Sequence, residues 1–352
     1  MEFITKTAGT LKVALIGAGQ VAEKVHVAGY RQDPGIELVA VVDCDAARAQ
    51  AFAQRNGIAR AYTSLEDMLL TERPDAVSVC TPNLFHHQQV IAALRHGCHV
   101  FCEKPPAMDP AQALEMWQAA QQADRILAYD FHHRFAEDAR ILRRKVADGE
   151  LGEVYVTTAR ALRRCGVPGW GNFTDITQSG GGPLIDIGIH MLDAAMYVLG
   201  FPAVRKVTAQ MFQKIGTRKS EGQFGSWDPK KYSVEDSVFA AIEFCDGGLL
   251  RVETAFALNI QPQSVMNVEF CGDKAGATLF PAQVYTDEKG QLVTLFSREV
   301  ADDQRHARSL QAFVAAVRGE TVSLADAGQG YRIQQLVAAI YASATSGESV
   351  YL

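Results

Sequence analysis

Cysteine is sparse and forms no pairing motif. Seven cysteines, an odd number, are scattered over 352 residues with no Cys-x-x-Cys. That argues against a disulfide framework and fits the reducing cytoplasm. No uninterrupted apolar run approaches the ~18 residues of a membrane span. The opening Met1-Glu2-Phe3-Ile4-Thr5-Lys6 carries no signal-peptide core. Positive charge is not in excess either. Lys and Arg number 34 against 40 Asp and Glu, a formal net charge of −6. Such a chain is a poor candidate for a duplex nucleic-acid binder, which needs a strongly basic face. Internal repeats and low-complexity tracts are lacking. What is present is ordinary globular composition, 48% apolar and 21% charged. At roughly 150 residues per domain, the length predicts about two domains.

The first part of the chain alternates short apolar runs with helical patterns. Strands are predicted at Leu11–Ile16, Glu37–Val42, Ala76–Cys80, Cys98–Cys102 and Arg125–Tyr129, each bounded by polar or turn residues. Helices are predicted between them at Val21–Asp33, Ala46–Arg55, Leu84–His96 and Pro110–Ala123, the last with Asp109 as N-cap. This order predicts a parallel sheet covered on both faces. The pattern changes near Phe131. After a helix at Ala136–Asp148, strands dominate: Val154–Leu162, Val204–Phe212, Ser237–Phe244, Gly248–Ala257, Val265–Phe270 and Leu292–Phe296. Helices return at His306–Val317 and Gly330–Ser343. The expected division is 1–131 and 132–352, the second domain an open, mostly antiparallel sheet with helices on one face. The other face then needs cover, most simply from a second copy of the chain in a homodimer or homotetramer.

The first strand runs into Gly17-Ala18-Gly19-Gln20-Val21-Ala22, which opens a helix. Gly17 permits the tight turn, and Gly19 lets a pyrophosphate approach the helix N-terminus beside Gln20 and Val21. The second strand ends at Asp43, where an acid is expected to accept from the adenosine ribose hydroxyls. Asp45 adds negative charge that would repel a 2′-phosphate, so NAD is expected rather than NADP. Asp43 could also cap the following helix. Two later strands end in Cys80-Thr81-Pro82-Asn83-Leu84-Phe85-His86 and in Glu103-Lys104-Pro105, at the strand ends where an open α/β sheet places its ligand.

The second domain contains Gly180-Gly181-Gly182-Pro183-Leu184-Ile185-Asp186-Ile187-Gly188-Ile189-His190-Met191-Leu192-Asp193. If helical, Asp186, His190 and Asp193 share a face at ~5–6 Å steps. A His beside an Asp after a glycine loop is a candidate acid–base unit, and a capping Asp with a core His is the alternative. No metal site is expected. Cys98 and Cys102, near His96 and His99, lie four apart in a strand, ~13 Å, too far to share a zinc. Two long segments are irregular. Arg163–Gln178 holds Arg163 and Trp170, and Gln213–Ser233 carries net charge +3. Their aromatic residues could stack on a ligand ring, and their cations could meet an anion or simply be solvated.

In order, Gly-x-Gly-x-x-Ala, Thr-Pro-Asn-x-x-His, Glu-Lys-Pro and Gly-Gly-x-x-x-Asp-x-Gly-x-His-x-x-Asp resemble the Gfo/Idh/MocA family (glucose-fructose oxidoreductase and inositol dehydrogenase) over nearly the whole chain. The resemblance implies an α/β N-terminal Rossmann domain that binds NAD and an α+β C-terminal domain for substrate and oligomerisation. It implies Lys104 as catalytic lysine before an often cis Pro105. Asp186 and His190 become the active-site pair, and Thr81, Asn83, His86 and Glu103, with Lys104, line the cofactor. His132-His133-Arg134 departs locally from the family, where this segment borders the substrate pocket. His133, Arg163, Trp170 and Asp193 are the candidate substrate contacts. The implied activity is NAD-dependent oxidation of a secondary hydroxyl of a sugar, polyol or cyclitol, the catalytic groups meeting between the domains. Alternatives are a redox-neutral glycosidase or hydratase that uses NAD transiently, and a non-catalytic dinucleotide sensor.

Overall fold

The structure is a computed structural model that describes residues 9–298 and 304–352; the opening Met1–Lys6 lies outside these. Two compact units are resolved: residues up to Asp130 with His306–Gln334, and Phe131–Arg305 with Gln335–Leu352.

In the first unit β1 (Leu11–Ile16) leads into a π-helical segment, Ala22–Val27, continued by α1 (Ala28–Tyr30). Then come β2 (Ile36–Val42), α2 (Ala46–Arg55), β3 (Arg60–Tyr62), α3 (Leu65–Glu72), β4 (Ala76–Val79), a 3-10 turn at Asn83–Phe85, α4 (His86–Arg95), β5 (His99–Cys102), α5 (Pro110–Ala123) and β6 (Leu127–Tyr129). All pairings are parallel, in the order β3-β2-β1-β4-β5-β6. The apolar runs reflect burial on both faces: Val13, Ala14, Leu15, Val41, Val77 and Val100 have no exposed surface. Asp109 caps α5 as expected, accepting from Gln112 N at 2.9 Å. The strand order reverses between β1 and β4, so the loops after these strands meet at the switch point of the sheet.

The second unit opens with a 3-10 turn, His132–Phe135, then α6 (Glu137–Ala147), β7 (Val154–Arg163) and α7 (Ile176–Ser179). A π turn, Leu184–Gly188, runs into α8 (Ile189–Leu199). Next come β8 (Val204–Phe212), the two-residue strands β9 (Glu221–Gly222) and β10 (Gly225–Ser226), β11 (Ser237–Phe244), β12 (Leu249–Ala255), β13 (Ser264–Gly272), β14 (Gly276–Thr278), β15 (Gln283–Glu288) and β16 (Gln291–Ser297). After these come α9 (Arg305–Val317), α10 (Ala327–Ser346) and β17 (Val350–Tyr351). The sheet order is β16-β15-β14-β13-β7-β12-β11-β8-β17, antiparallel apart from the β7–β12 pair. The helical stretch Ile176–Leu199 reaches a mean hydropathy of 1.3 and is long enough to cross a membrane, yet its apolar window is 89% buried inside the protein. It is a core helix. Alternate residues on the outer face of the sheet carry both charge and apolar surface. Arg160 pairs with Glu253 and Glu269, each at 3.2 Å, and Phe212 meets Phe239 edge-on at 6.2 Å.

The chain first passes between the units at Asp130–Phe131, one residue before the expected 131/132 boundary, and later passes back. Helix α9, expected with the second domain, lies in the first unit from His306 onward. Its apolar stripe of Leu310, Phe313 and Val314 enters the first unit's core with Leu15, Tyr30, Phe52 and Phe101. A Cβ on Gly29 would lie 2.5 Å from Leu310 Cδ1, so the glycine lets α9 approach. The chain returns to the first unit because an amphipathic helix goes where its stripe can be buried.

Candidate active site

The glycine turn after β1 is built for a group outside the protein. Gly17 has φ +98°, and a Cβ there would meet the Cys80 backbone and Thr81 Cγ2 at 3.0 Å. Only glycine closes this turn. A Cβ on Gly19 would meet nothing within 4 Å, and Gln20 and Val21 beside it are exposed. Among the described residues no packing accounts for Gly19; the open approach to backbone amides at a helix start does. Asp43 Oδ2 accepts from Ala18 N at 2.9 Å, and its Oδ1 lies 3.3 Å from Arg48 Nε. The helix cap is Asp45, which accepts from Arg48 N at 3.1 Å. Asp43 therefore anchors the glycine turn at the end of β2. These features fit a dinucleotide, which Gly17, Gly19, Gln20, Val21 and Asp43 would hold.

Thr81 donates to Gln89 Oε1 at 2.6 Å, and Asn83 starts the 3-10 turn beyond it. His86 is fully buried. Its Nδ1 lies 2.8 Å from the Pro105 carbonyl and its Nε2 2.9 Å from that of Thr81. Burial holds this imidazole below its usual pKa, although both carbonyls favour the cation. His86 acts on the cradle by tying the loop after β4 to the turn after β5; its ring nitrogens are spent inside the protein. The Lys104–Pro105 peptide is cis, as the resemblance implied.

His26 is a member of this group that sequence reasoning missed. It has no exposed surface, and its Nε2 lies 3.0 Å from Glu103 Oε1. Its Nδ1 lies 3.0 Å from Ser78 Oγ, which is 2.7 Å from the Tyr30 hydroxyl. A buried line of hydrogen bonds thus ends at the carboxylate preceding Lys104. Burial pushes the Glu103 carboxyl up, but the His26 bond and the charges of His26, Lys104 and His306 outweigh it and hold it below the usual range. An ionised Glu103 beside a half-buried Lys104 is the result. The available signal was one helical turn: His26 lies four residues after Ala22, on the buried side.

In the second unit Gly180 ends α7 at φ +81°. A Cβ on Gly181 would strike the Tyr341 hydroxyl, and one on Gly182 would lie 2.6 Å from the Glu235 carbonyl. Glu235, also missed, accepts from Gly182 N at 2.9 Å, Leu184 N at 3.3 Å and the Tyr341 hydroxyl at 2.8 Å. Burial raises its carboxyl above the usual range against these donors. It fixes the start of the π turn that carries Asp186, a half-buried residue in an otherwise buried run from Gly181 to His190. π turns recur at functional positions.

His190 is 7% exposed, and its ring meets those of His132 and His133 at tilts of 55° and 56°, with centroid distances of 4.7 Å and 5.0 Å. Ring nitrogens of the three lie within 4.8 Å of one another, a grouping that no spacing in the chain foreshadows. The Arg305 guanidinium, 3.5 Å from His133 Nδ1, works against a metal cation there. The expected substrate role of Asp193 is corrected. It has no exposed surface, and both oxygens accept from Arg134, at 2.9 Å from Nε and also from Nη2. Arg163 is half-buried, with its guanidinium 4.8 Å from the Phe224 ring; burial lowers its pKa and the Asp186 charge raises it. Trp170 is 56% exposed and meets Phe224 edge-on at 5.8 Å.

Comparison with known proteins shows the family and the fold. Residues 11–131 match the oxidoreductase family, NAD-binding Rossmann fold, and residues 143–352 match its C-terminal alpha/beta domain. The chain is 62% identical over 346 residues to D-glucoside 3-dehydrogenase of Escherichia coli (strain K12), covering 98% of this chain and 99% of that one. It is 32% identical to 1,5-anhydro-D-fructose reductase of Ensifer adhaerens, over 69% of this chain and 68% of the relative. An NAD binding oxidoreductase from Klebsiella pneumoniae has the same fold, with TM-score 0.84 at 23% identity over 97% and 99% of the two chains. Levoglucosan dehydrogenase, solved with NADH and levoglucosan, gives 0.83 at 20% over 97% and 99%. Fold and relatives together define an NAD(P)-dependent oxidoreductase of the class that acts on CH–OH groups. The chain belongs to the Gfo/Idh/MocA oxidoreductase family.

Proposed function

We propose that this chain is an NAD-dependent dehydrogenase that oxidises a secondary hydroxyl of a sugar, with a D-glucoside as substrate and its C3 as the reacting carbon. The observation that carries the reading is an intact dinucleotide cradle in the same chain as a buried, histidine-packed His190. The 62% identity to a D-glucoside 3-dehydrogenase supplies the substrate class. The bound nicotinamide supplies the hydride acceptor. His190 takes the hydroxyl proton as general base. Asp186 orients the imidazole or holds a neighbouring hydroxyl. Lys104, steadied by ionised Glu103, stabilises the developing alkoxide. His133 and Arg163 contact the sugar ring, and Trp170 is a further contact to the glucoside. The seven unpaired cysteines, three of them exposed, suit the cytoplasm.

The test is a panel of glucosides, free sugars and inositols with NAD and NADP, followed by the absorbance of reduced nicotinamide. Steady NADH formation with glucosides is expected. Substrate turnover without net NADH would overturn the reading in favour of redox-neutral chemistry.

NAD preference is assigned to Asp43. Its carboxylate suits a free 2′-hydroxyl, and it occupies the Arg48 guanidinium that would otherwise be available to a phosphate. Asp43→Ala should raise the Kd for NAD about 10- to 100-fold, since hydrogen bonds to a charged group and the anchor on Ala18 N are lost together. The gap to NADP should narrow. Tighter binding of NADP than NAD by the wild-type chain, read by calorimetry, would contradict this.

Assembly through the outer face of the second unit's sheet is the further part of the reading. Light scattering at micromolar concentration should show a homodimer or homotetramer, and a monomer would refute it.

A further inference from the structure

We propose that the exposed ring of Trp170, backed by Phe224, forms a subsite for the substituent on the anomeric carbon of the substrate, a second sugar ring or an aryl group. This rests on the reading of the chain as a glucoside dehydrogenase and extends it. Oxidation of a ring hydroxyl leaves the glycosidic bond intact, so the protein must accommodate whatever that bond carries. The apolar C–H face of a pyranose, or an aromatic aglycone, packs well on an indole.

The loops that present Trp170 are rigidly built. Gly169 N donates to the Phe224 carbonyl at 2.9 Å, and Gln223 N donates to the Cys165 carbonyl at 2.9 Å. A Cβ on Gly169 would lie 2.7 Å from Ser226 N, so the two loops touch backbone to backbone at a position only glycine fits. Behind them, the Trp227 indole donates to the Gly216 carbonyl at 2.8 Å, and Asp236 accepts from the amides of Lys214, Ile215 and Gly216. Trp227 and Tyr232 are buried as anchors, at 8% and 5% exposure, whereas Trp170 is left 56% in water. An indole held half in water on an ordered platform offers an open face on which a ring can pack.

The platform also connects to the chemistry. Trp170 meets Phe224 at 5.8 Å, Phe224 carries the Arg163 guanidinium at 4.8 Å, and that guanidinium feels the Asp186 carboxylate. The ring contacts Trp170–Phe224–Arg163, and the charge of Asp186 that Arg163 feels, lie wholly within the second unit. A substituent directed away from the oxidised carbon would run outward along it.

The experiment compares wild type, Trp170→Ala and Trp170→Phe on methyl glucoside, an aryl glucoside and a glucose disaccharide. Trp170→Ala should cut kcat/KM for the aryl glucoside and disaccharide about 10-fold more than for methyl glucoside, mainly through KM. Trp170→Phe should restore most of the loss. Equal effects on all three substrates, or none, would overturn the subsite. A changed particle mass by light scattering with no change in selectivity would reassign Trp170 to a subunit contact and overturn it too. Disaccharide binding is read separately by calorimetry with NAD present. Binding that depends on Trp170, in a chain that oxidises no glucoside, would uphold the subsite and defeat only the dehydrogenase reading.

Discussion

His190→Ala should lower kcat by ~10²–10⁴, the range that positioned general-base catalysis supplies. The fall should come with almost no change in NAD affinity, because the residues assigned to the dinucleotide all lie in the first unit. Oxidising a secondary alcohol requires the hydroxyl proton to leave as the hydride does. An imidazole titrates near neutral pH and can take that proton reversibly. Activity should therefore rise with pH as the base loses its proton. Three imidazoles lie in ring contact, so a positive charge on one opposes a charge on the next, and the acid limb of the pH–rate profile should respond to all three. His133→Asn should move that limb while leaving His190 in place. Melting temperature guards against a trivial result, since alanine also removes two ring contacts. Near-wild-type kcat for a folded His190→Ala protein at neutral pH would make Lys104 the preferred base.

Much of this fold was legible because burial on both sheet faces leaves short apolar runs. Leu11–Ile16, Ala46–Arg55, Pro110–Ala123, Val204–Phe212 and Ser237–Phe244 match the elements to the residue. The elements that escaped had little to bury. Strand β3 is one exposed and two half-exposed residues at a sheet edge, and β15 is half-exposed with a polar end. Helix α3 escaped although Ser64 caps it, accepting from Asp67 N at 3.2 Å. The allegiance of α9 could not be read locally, because an amphipathic stripe says that a helix will be buried and not where.

The candidate site was legible where residue type implies a physical need. Gly17 and Gly19 answer to backbone geometry, and the Glu103-Lys104-Pro105 run stands at a strand end. Helical spacing misled at Asp193. The residues from Ile189 to Val198 are all buried, so lying one turn from His190 on α8 does not by itself bring Asp193 to a ligand. The π turn at Leu184–Gly188 also departs from the α pitch on which that spacing argument rests. His26 and Glu235 are single residues whose partners lie 77 and 53 positions away, and no local pattern encodes such distances.

Arg134→Met should be the most destabilising single change considered, by about 3–5 kcal/mol, because it leaves a buried carboxylate without its partner. The Arg134 guanidinium also stands 5.7 Å from the Phe131 ring centroid, 5.3 Å from Tyr197 and 5.4 Å from Phe201. The pair joins the His132–Phe135 turn to α8, and so holds His132 and His133 against His190. Any folded Arg134→Met protein should thus lose activity along with stability. The pH dependence has a definite sign. Burial pushes the Asp193 carboxyl above its usual range and Arg134 pulls it back, so methionine leaves the upward push unopposed. An unfolded aspartate titrates near ~4. A folded value above that means the folded state keeps the proton longer as pH rises. The penalty is then least below about pH 4 and grows with pH until the raised folded-state value is passed. Denaturant melts of wild type and variant across pH would show their difference widening upward. Adding Asp193→Leu removes the stranded carboxylate, and the double variant should recover most of the loss, since an apolar replacement of a buried pair is often neutral or better. Wild-type stability of Arg134→Met alone at neutral pH would show that the pair does not secure the histidine cluster.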